Sequence, residues 1–358
     1  MHLIIGTYTE RLPHVDGKAD GILAASFDPA SGRIGEVTSL AVASNPSYLA
    51  VSASGENLYA VHETLTFAGQ PGGGLTAYAR DPRTGRLTRL NAGATIGESP
   101  CHVALDRTGR FVLTANYGLD AGSVTVYRVE RDGRLGGITD HVRRAGSGPD
   151  PVRQAGSHPH MIASDPVTGE ILVTDLGSDA VLVYALDSDG RLTPQTAAHL
   201  AAVPGAGPRH LAFHPDGNHL FVVNELDSTV CTLRRQDGRF AVTDRAPTVP
   251  AGATGQNLAA AIRVTPSGRH VLVSNRGHGS LAVLRFDQDA SSLSLTGNTP
   301  SAGDWPRDFI VTPDQRHVIV ADQDGDLLAC YAFDDADGAL SLLHSAAAPT
   351  PVCLVAVP

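Results

Sequence analysis

No long hydrophobic run occurs in the 358-residue sequence, and no stretch approaches the ~20 apolar residues of a membrane-spanning helix. The N-terminal residues Met1–Thr7 lack the charged region and the long apolar core of a signal peptide, and they read as a strand instead. No segment has a sustained helical period. These absences predict an all-β protein that does not contact a membrane, with the cytoplasm as its expected compartment.

Cysteine is scarce and unpaired. The four cysteines lie far apart without a Cys-x-x-Cys motif, at positions Cys101, Cys231, Cys330 and Cys353. We therefore expect neither a disulfide framework nor a zinc site, but small core residues in a reducing compartment. The Gly-x-Ser-x-Gly elbow of serine hydrolases is missing too, so no serine triad is expected on this basis.

Basic residues are in the minority. The sequence has 27 Lys and Arg but 37 Asp and Glu, which gives a formal net charge of -10. This balance argues against general nucleic-acid binding, which needs a positive surface. An anionic substrate would require a locally basic pocket.

What the sequence does contain is an internal repeat. Residues 99–116 and 207–224 align without a gap, each running from an X-Pro dipeptide through two short apolar strands to an asparagine. Further copies of the start of this frame are Asn45–Tyr48, His158–Met161, Asn257–Ala260, Trp305–Asp308 and Thr350–Cys353. The starts lie roughly 45 to 60 residues apart, which is the spacing of β-propeller blades.

Each repeat predicts four antiparallel strands, which we label A to D. Strand A follows the X-Pro start and ends in a turn such as Asp106–Gly109, and strand B follows, as in Phe111–Ala115. Strand C alternates polar and apolar residues, as in Ser123–Tyr127, and a turn such as Asp187–Leu192 leads into strand D.

The seventh repeat is incomplete, since the chain stops after Pro351–Val357. The N-terminus supplies what is missing, because His2–Thr7 resembles a B strand and Gly21–Ile34 a C strand with its turn. Pairing of the last strand with the first would close the ring and leave no exposed edge there. We therefore predict one domain over residues 1–358, a seven-bladed β-propeller.

The strand order of such a blade predicts where the functional residues meet. Strands alternate in direction, so the start of A and the end of B share one face, and the Asp-x-x-Gly turns lie on the other. The A starts carry His102, His158, His160, Arg209, His210 and Arg307. The B ends carry Asn116, Tyr117, Asp175, Asn224, Glu225, Asn275, Arg276, His278 and Gln323. This concentration of His, Arg, Glu and Asn predicts a small-molecule pocket at one mouth of the channel.

Several strings in this order are also similar to those of one family. They are Gly6–Thr9, Ser99–His102, Arg153-Gln154, His158–His160, Pro204–Leu211, Val223–Thr229 and Ser274–His278. Together they resemble the seven-bladed β-propeller lactonases, which include 6-phosphogluconolactonases and fungal carboxymuconate cyclases. The resemblance covers essentially the whole chain.

The resemblance implies a metal-independent lactonase without a cofactor, whose catalytic positions match His160, Arg209, Glu225 and Arg276. Glu225 or His160 would be the base, and Arg209 or Arg276 would stabilise the oxyanion. The expected substrate-binding residues are His102, His158, His210, His278, Arg307, Asn224 and Asn275. The leading hypothesis is hydrolysis of 6-phosphogluconolactone to 6-phosphogluconate in the pentose phosphate pathway.

Alternatives remain open at this point. The chain could be a cycloisomerase of a carboxymuconate-like dicarboxylate or a non-catalytic propeller that binds a ligand or partner. Glu225 could simply pair with Arg209. Met161 and Ala261 depart from the residues usual in the family, serine and an acidic residue, which bears on the substrate. His158-Pro-His160 lacks further metal ligands nearby, so no metal is expected. The expected partner is a small anionic substrate, bound by a monomer or homodimer.

Overall fold

The computed structural model describes residues 1–119 and 121–357, which form antiparallel β-sheets arranged around a ring. The N-terminal strands are β1 (His2–Thr7), β2 (Arg11–Leu12), β3 (Val15–Asp16), β4 (Gly21–Asp28), β5 (Arg33–Ile34) and β6 (Thr38–Val42). Blade 1 contains β7 (Leu49–Val51), β8 (Asn57–His62), β11 (Gly74–Arg80) and β12 (Leu87–Ala94), and the separate hairpin of β9 (Thr66–Phe67) and β10 (Gln70–Pro71) lies between β8 and β11 in the chain. Blade 2 contains β13 (Pro100–Leu105), β14 (Phe111–Asn116), β15 (Ser123–Val129) and β16 (Leu135–Arg143).

The second half of the chain continues the pattern. Blade 3 contains β17 (Pro159–Ser164), β18 (Ile171–Asp175), β19 (Ala180–Leu186), β20 (Leu192–Pro194), the 3-10 helix η1 (Thr196–Ala198) and β21 (Leu200–Ala201). Blade 4 contains β22 (Pro208–Phe213), β23 (His219–Asn224), β24 (Thr229–Gln236) and β25 (Arg239–Pro247). Blade 5 contains β26 (Ala259–Val264), β27 (His270–Asn275), β28 (Ser280–Asp287) and β29 (Ser292–Pro300). Blade 6 contains β30 (Pro306–Val311), β31 (His317–Asp322), β32 (Leu327–Phe333) and β33 (Leu340–Ala347), and β34 (Pro351–Val357) ends the chain.

The innermost strands form a closed ring. Each contacts the innermost strand of the next blade, in the order β7, β13, β17, β22, β26, β30, β34 and back to β7. The last link depends on the chain ends, since β34 pairs antiparallel with β1, from His2 opposite Val357 to Gly6 opposite Cys353. The sequence prediction of a seven-bladed propeller closed by its termini is therefore confirmed in this ring.

The register places the A starts beside the B ends, as expected. Pro100 lies opposite Asn116 and Pro208 opposite Asn224. Blade 5 needs a correction, because Ala259 lies opposite Asn275, so its frame begins at Leu258 and not at Asn257. The error arose because blade 5 has no proline to mark its start.

The hydrophobic core lies between neighbouring blades. Phe221 and Val223 of blade 4 pack with Ile262 and Val273 of blade 5 in one buried cluster. β-Branched and aromatic residues suit this arrangement, because they fill the space between two pleated surfaces. The packed sheets place equivalent backbone positions of each blade at the channel mouth.

Two short hairpins, β2–β3 and β9–β10, were not predicted and lie outside the blade sheets. Within the described residues, no helix has the length and apolarity required to cross a membrane.

Candidate active site

Seven equivalent residues, each directly following a B strand, form what we call the rim ring. Each donates its backbone N–H to the carbonyl of the residue that begins a repeat frame, at 2.7–3.3 Å. Its members are Tyr8, Glu63, Tyr117, Leu176, Glu225, Arg276 and Gln323. One blade position is therefore filled with two carboxylates, one guanidinium and two phenols, which a purely structural repeat would not require.

A second set, which we call the inner ring, occupies the third position of each repeat frame. Its members are Ser47, Cys101, His160, Arg209, Ala260, Arg307 and Val352. Gly207 shows how tightly the frame starts are packed in blade 4: its φ is +66°, and a Cβ there would lie 2.6 Å from Leu226 Cγ.

Members of both rings line a cavity of about 480 Å³ at this mouth of the channel. Its lining includes Glu63, Cys101, Tyr117, Arg153, His158, His160, Glu225, Arg276, Trp305 and Arg307. Both the volume and the convergence of polar groups on a partly apolar wall are typical of small-molecule sites.

Three guanidiniums converge on the Glu225 carboxylate. Glu225 Oε2 lies 2.9 Å from Arg209 Nε and 2.7 Å from Arg276 Nη2, and Arg153 Nη2 pairs with Oε1. The exposed fraction is 1% for Glu225, 2% for Arg209 and 6% for Arg276. The pairing of Glu225 with Arg209, which the sequence left open as an alternative, is thus present, but within a larger group that we call the Glu225 cluster.

The Glu225 cluster holds an excess of positive charge. Burial would raise the pKa of Glu225, but the guanidiniums of Arg276, Arg153 and Arg209 hold this pKa well below its usual range. Burial, and next the Arg276 guanidinium, lower the pKa of Arg209 to about 9. Because one carboxylate neutralises only one of three guanidiniums, a bound anion would stabilise the cluster.

A second charged group includes Arg307, Tyr8 and Glu63. Arg307 Nη2 donates to the Tyr8 hydroxyl at 3.0 Å, and the same hydroxyl faces the Glu63 carboxylate. Ser47 Oγ donates to Glu63 Oε2 at 2.6 Å. Burial raises the pKa of Tyr8 well above its usual value, so this phenol stays protonated between the two charges.

Two histidines line the cavity wall. His158 stacks on Tyr117 with ring centroids 4.3 Å apart, and its Nδ1 lies 2.9 Å from the Tyr117 carbonyl. His160 is 7% exposed and its Nδ1 is buried without a hydrogen-bond partner in the described part of the chain. Burial, and next the Arg209 guanidinium, lower the pKa of His160 well below its usual value, so its ring is neutral.

His102 and His210 lie one residue deeper than the inner ring and do not line the cavity. Their rings contact each other edge to face at 5.7 Å, and the His102 ring lies 4.0 Å from that of Tyr48. Burial lowers the pKa of both imidazoles, that of His102 to about 3. These two predicted binding residues therefore pack against other aromatic rings in the channel and do not line the cavity.

Three further predicted binding residues also lie away from the cavity. Asn224 donates to Thr229 Oγ1 at 2.9 Å, and Asn275 accepts from Thr248 Oγ1 at 2.8 Å. Both amides therefore stabilise the loops that connect strands. His278 is exposed, and its Nδ1 lies 2.8 Å from Ser280 Oγ. Asn224 and Asn275 are the last residues of their B strands, and the residues that follow them, Glu225 and Arg276, line the cavity.

Two charged cavity residues, Glu63 and Arg153, were absent from the predicted site. Glu63 occupies in blade 1 the rim-ring position that Glu225 occupies in blade 4, and the strings Val61-His62-Glu63 and Val223-Asn224-Glu225 would have revealed it. Arg153 lies in the loop before blade 3, and only the family-like string around it marked it.

Metal-ligand geometry occurs elsewhere in the described residues. His214, Asp216 and His219 place one ligand atom each within 4.8 Å of one another, in the turn of blade 4 on the face opposite the cavity. His219 Nδ1 lies 2.7 Å from Asp216 Oδ2, and His219 Nε2 lies 3.0 Å from Ser291 Oγ. These contacts explain the group as a hydrogen-bonded turn.

Comparisons with known proteins agree with this architecture. The chain is 35% identical over 308 residues to the 6-phosphogluconolactonase of Bacillus subtilis, covering 86% of this chain and 83% of that protein. It is 26% identical over 315 residues to a 6-phosphogluconolactonase of Formosa agariphila, covering 86% of each. The solved structure of the periplasmic gluconolactonase of Pseudomonas aeruginosa superimposes with a TM-score of 0.91 at 31% identity, over 100% of this chain and 99% of that chain. The family model for lactonases with a seven-bladed β-propeller matches residues 2–356, and the chain belongs to this family.

Proposed function

We propose that this lactonase hydrolyses 6-phosphogluconolactone to 6-phosphogluconate, with the phosphate bound at the Glu225 cluster. The observation that carries the proposal is the positive excess of the cavity. Four guanidiniums, those of Arg153, Arg209, Arg276 and Arg307, surround two carboxylates, although the chain as a whole has a net charge of -10. A neutral sugar lactone would leave this charge without a partner.

In this proposal the phosphate contacts Arg153 and Arg276. Arg153 keeps 34% of its side chain exposed, and Arg276 lies beside the Trp305 ring at 5.7 Å. Guanidiniums suit phosphate because their N–H groups form paired, charge-assisted hydrogen bonds. Arg209 is enclosed beneath them and donates to the Ala260 carbonyl at 2.7 Å, so it supports the cluster from below.

In this proposal the lactone carbonyl faces Arg307, which comes from blade 6, next to the blade of Arg276. A guanidinium there stabilises the negative charge that the carbonyl oxygen gains when water attacks. His158 and His160 also line the cavity, where their ring nitrogens can bind the sugar hydroxyls.

The experiment is a rate comparison on two lactones, with spontaneous hydrolysis subtracted. Purified protein is mixed with 6-phosphogluconolactone and with unphosphorylated δ-gluconolactone, and acid release is recorded. We expect kcat/KM to be at least about 100-fold higher for the phosphorylated lactone, which corresponds to about 2.7 kcal/mol of phosphate binding. Equal rates on both would refute the phosphate assignment and favour a gluconolactonase.

A dicarboxylate substrate is the competing candidate, since guanidiniums also bind carboxylates. Incubation with a carboxymuconate, followed by its ultraviolet absorbance, tests cycloisomerisation. The proposal expects no change beyond the uncatalysed rate.

We also place the reaction in the cytoplasm, as a step of the pentose phosphate pathway. The P. aeruginosa relative is periplasmic, so cell fractionation of the native host with an antibody against this chain decides the compartment.

A further inference from the structure

We propose that Glu63 is the general base that activates the hydrolytic water, and this inference rests on the proposed lactonase function. Glu63 borders the cavity described above and also a neighbouring groove of about 910 Å³ that is lined in part by β9. Water can therefore approach its carboxylate from two sides. In the described ranges 1–119 and 121–357, Glu63 has no cation within the 4.0 Å of an ion pair.

The two bases suggested by the family resemblance are poorly suited to this role. Glu225 is held by three guanidiniums, and a carboxylate so strongly stabilised as an anion is a weak proton acceptor. His160 would need an acceptor for its Nδ1 proton once its ring became charged, but Nδ1 is buried without one in the described structure. A buried imidazolium beside Arg209 would be costly.

The surroundings of Glu63 orient the carboxylate without neutralising it. Ser47 Oγ donates to Oε2 at 2.6 Å, and the protonated Tyr8 hydroxyl faces the same carboxylate. The other groups that Glu63 influences are the Arg307 guanidinium, the His14 imidazole and the Cys101 thiol. Arg307 influences the carboxylate electrostatically from beyond ion-pair distance, and Ser47 donates to Oε2 only.

The chemistry balances with water as the co-substrate. Glu63 accepts one proton as the water oxygen bonds to the lactone carbonyl carbon, and the carbonyl oxygen becomes an anion facing Arg307. The tetrahedral intermediate then expels the ring oxygen, which takes the proton from Glu63 and becomes the product hydroxyl. The new carboxylic acid loses a proton to solvent, and Glu63 is again a carboxylate.

The experiment compares the variants Glu63→Gln and Glu63→Ala with the wild type on 6-phosphogluconolactone and δ-gluconolactone. Glu63→Gln should lower kcat by about 10²–10⁴-fold, the usual contribution of general-base catalysis, with KM nearly unchanged. The acid limb of the kcat/KM profile should disappear with it. Formate or azide, small enough to enter the emptied space, should restore part of the activity of Glu63→Ala.

The matched control is Glu10→Gln, because Glu10 is an exposed carboxylate of the neighbouring groove and does not line the main cavity. It should retain wild-type kinetics. Wild-type-like kcat with an intact acid limb in Glu63→Gln would overturn the assignment. So would a loss of activity that formate and azide fail to restore and that leaves the pH profile unchanged in shape, since that pattern belongs to structural support. An inactive wild type on both lactones would instead refute the lactonase proposal itself.

Discussion

The substitution Glu225→Gln provides a quantitative test of the Glu225 cluster. It keeps the shape of the side chain but removes the negative charge that three guanidiniums share. Two of these, Arg209 and Arg276, are buried, so water cannot take over the role of the carboxylate. We expect the variant to fold and to be less stable than the wild type.

The magnitude follows from the cost of breaking a buried ion pair on one side, about 3–5 kcal/mol. The unfolding entropy of a 358-residue chain, at about 2.1 cal/mol/K per residue, is roughly 0.75 kcal/mol/K. The quotient of these values predicts that Tm falls by about 4–7 °C. Differential scanning calorimetry at pH 7 measures it, with Glu36→Gln, an exposed carboxylate, as the control.

The stabilisation of the folded protein by Glu225 should depend on pH in a predictable direction. The pKa of Glu225 is lower in the folded protein than its ordinary value of 4.5, so its stabilisation is present above that value and is lost as the pH falls below it. The difference in Tm between wild type and Glu225→Gln should therefore stay constant above pH 4.5 and shrink as the pH falls below it. Inorganic phosphate should raise the Tm of the variant more than that of the wild type, because it replaces the missing charge.

A Tm of Glu225→Gln equal to that of the wild type at pH 7 would refute this reasoning. So would a phosphate response no larger than that of the wild type. Either result would mean that the guanidiniums do not depend on the carboxylate for their charge balance.

Three other predictions concern single features of the cavity. Arg276→Ala should lower kcat/KM for 6-phosphogluconolactone by about 10²–10³-fold and change the rate on δ-gluconolactone much less, as initial rates on both lactones will reveal; an equal loss on both would contradict the phosphate role. Iodoacetamide at pH 8 should leave the activity unchanged, because burial raises the pKa of the Cys101 thiol and keeps it from reacting; time-dependent inactivation would contradict this. Treatment with EDTA followed by dialysis should not reduce the rate of lactone hydrolysis, because the carboxylate of Glu225 is paired with guanidiniums and the His160 ring packs among other rings. A loss of activity that a divalent cation restores would refute metal independence.

Much of the architecture could be predicted from the sequence because a propeller repeats its local signals. The X-Pro starts, the Asp- and Gly-containing turns and the alternating strands recur in each blade, so strand order and the shared face of A starts and B ends follow without distant contacts. Where a local signal was lost, the prediction failed, as in blade 5, whose frame begins at Leu258 without a proline. The hairpins β2–β3 and β9–β10 were missed because they belong to no repeat.

The sequence by itself thus determined the ring, its closure by the chain ends and the face on which His160, Arg209, Glu225 and Arg276 gather. Only the tertiary structure decided which neighbours meet within that face. Neighbouring residues of a strand point in opposite directions, so a side chain one position away from a site residue does not reach the cavity. Asn224 precedes Glu225 and His210 follows Arg209, and both lie away from the cavity for this reason. Ion pairs between blades depend on distances around the whole ring, and no local pattern could indicate that three guanidiniums share Glu225 while Glu63 stays without one.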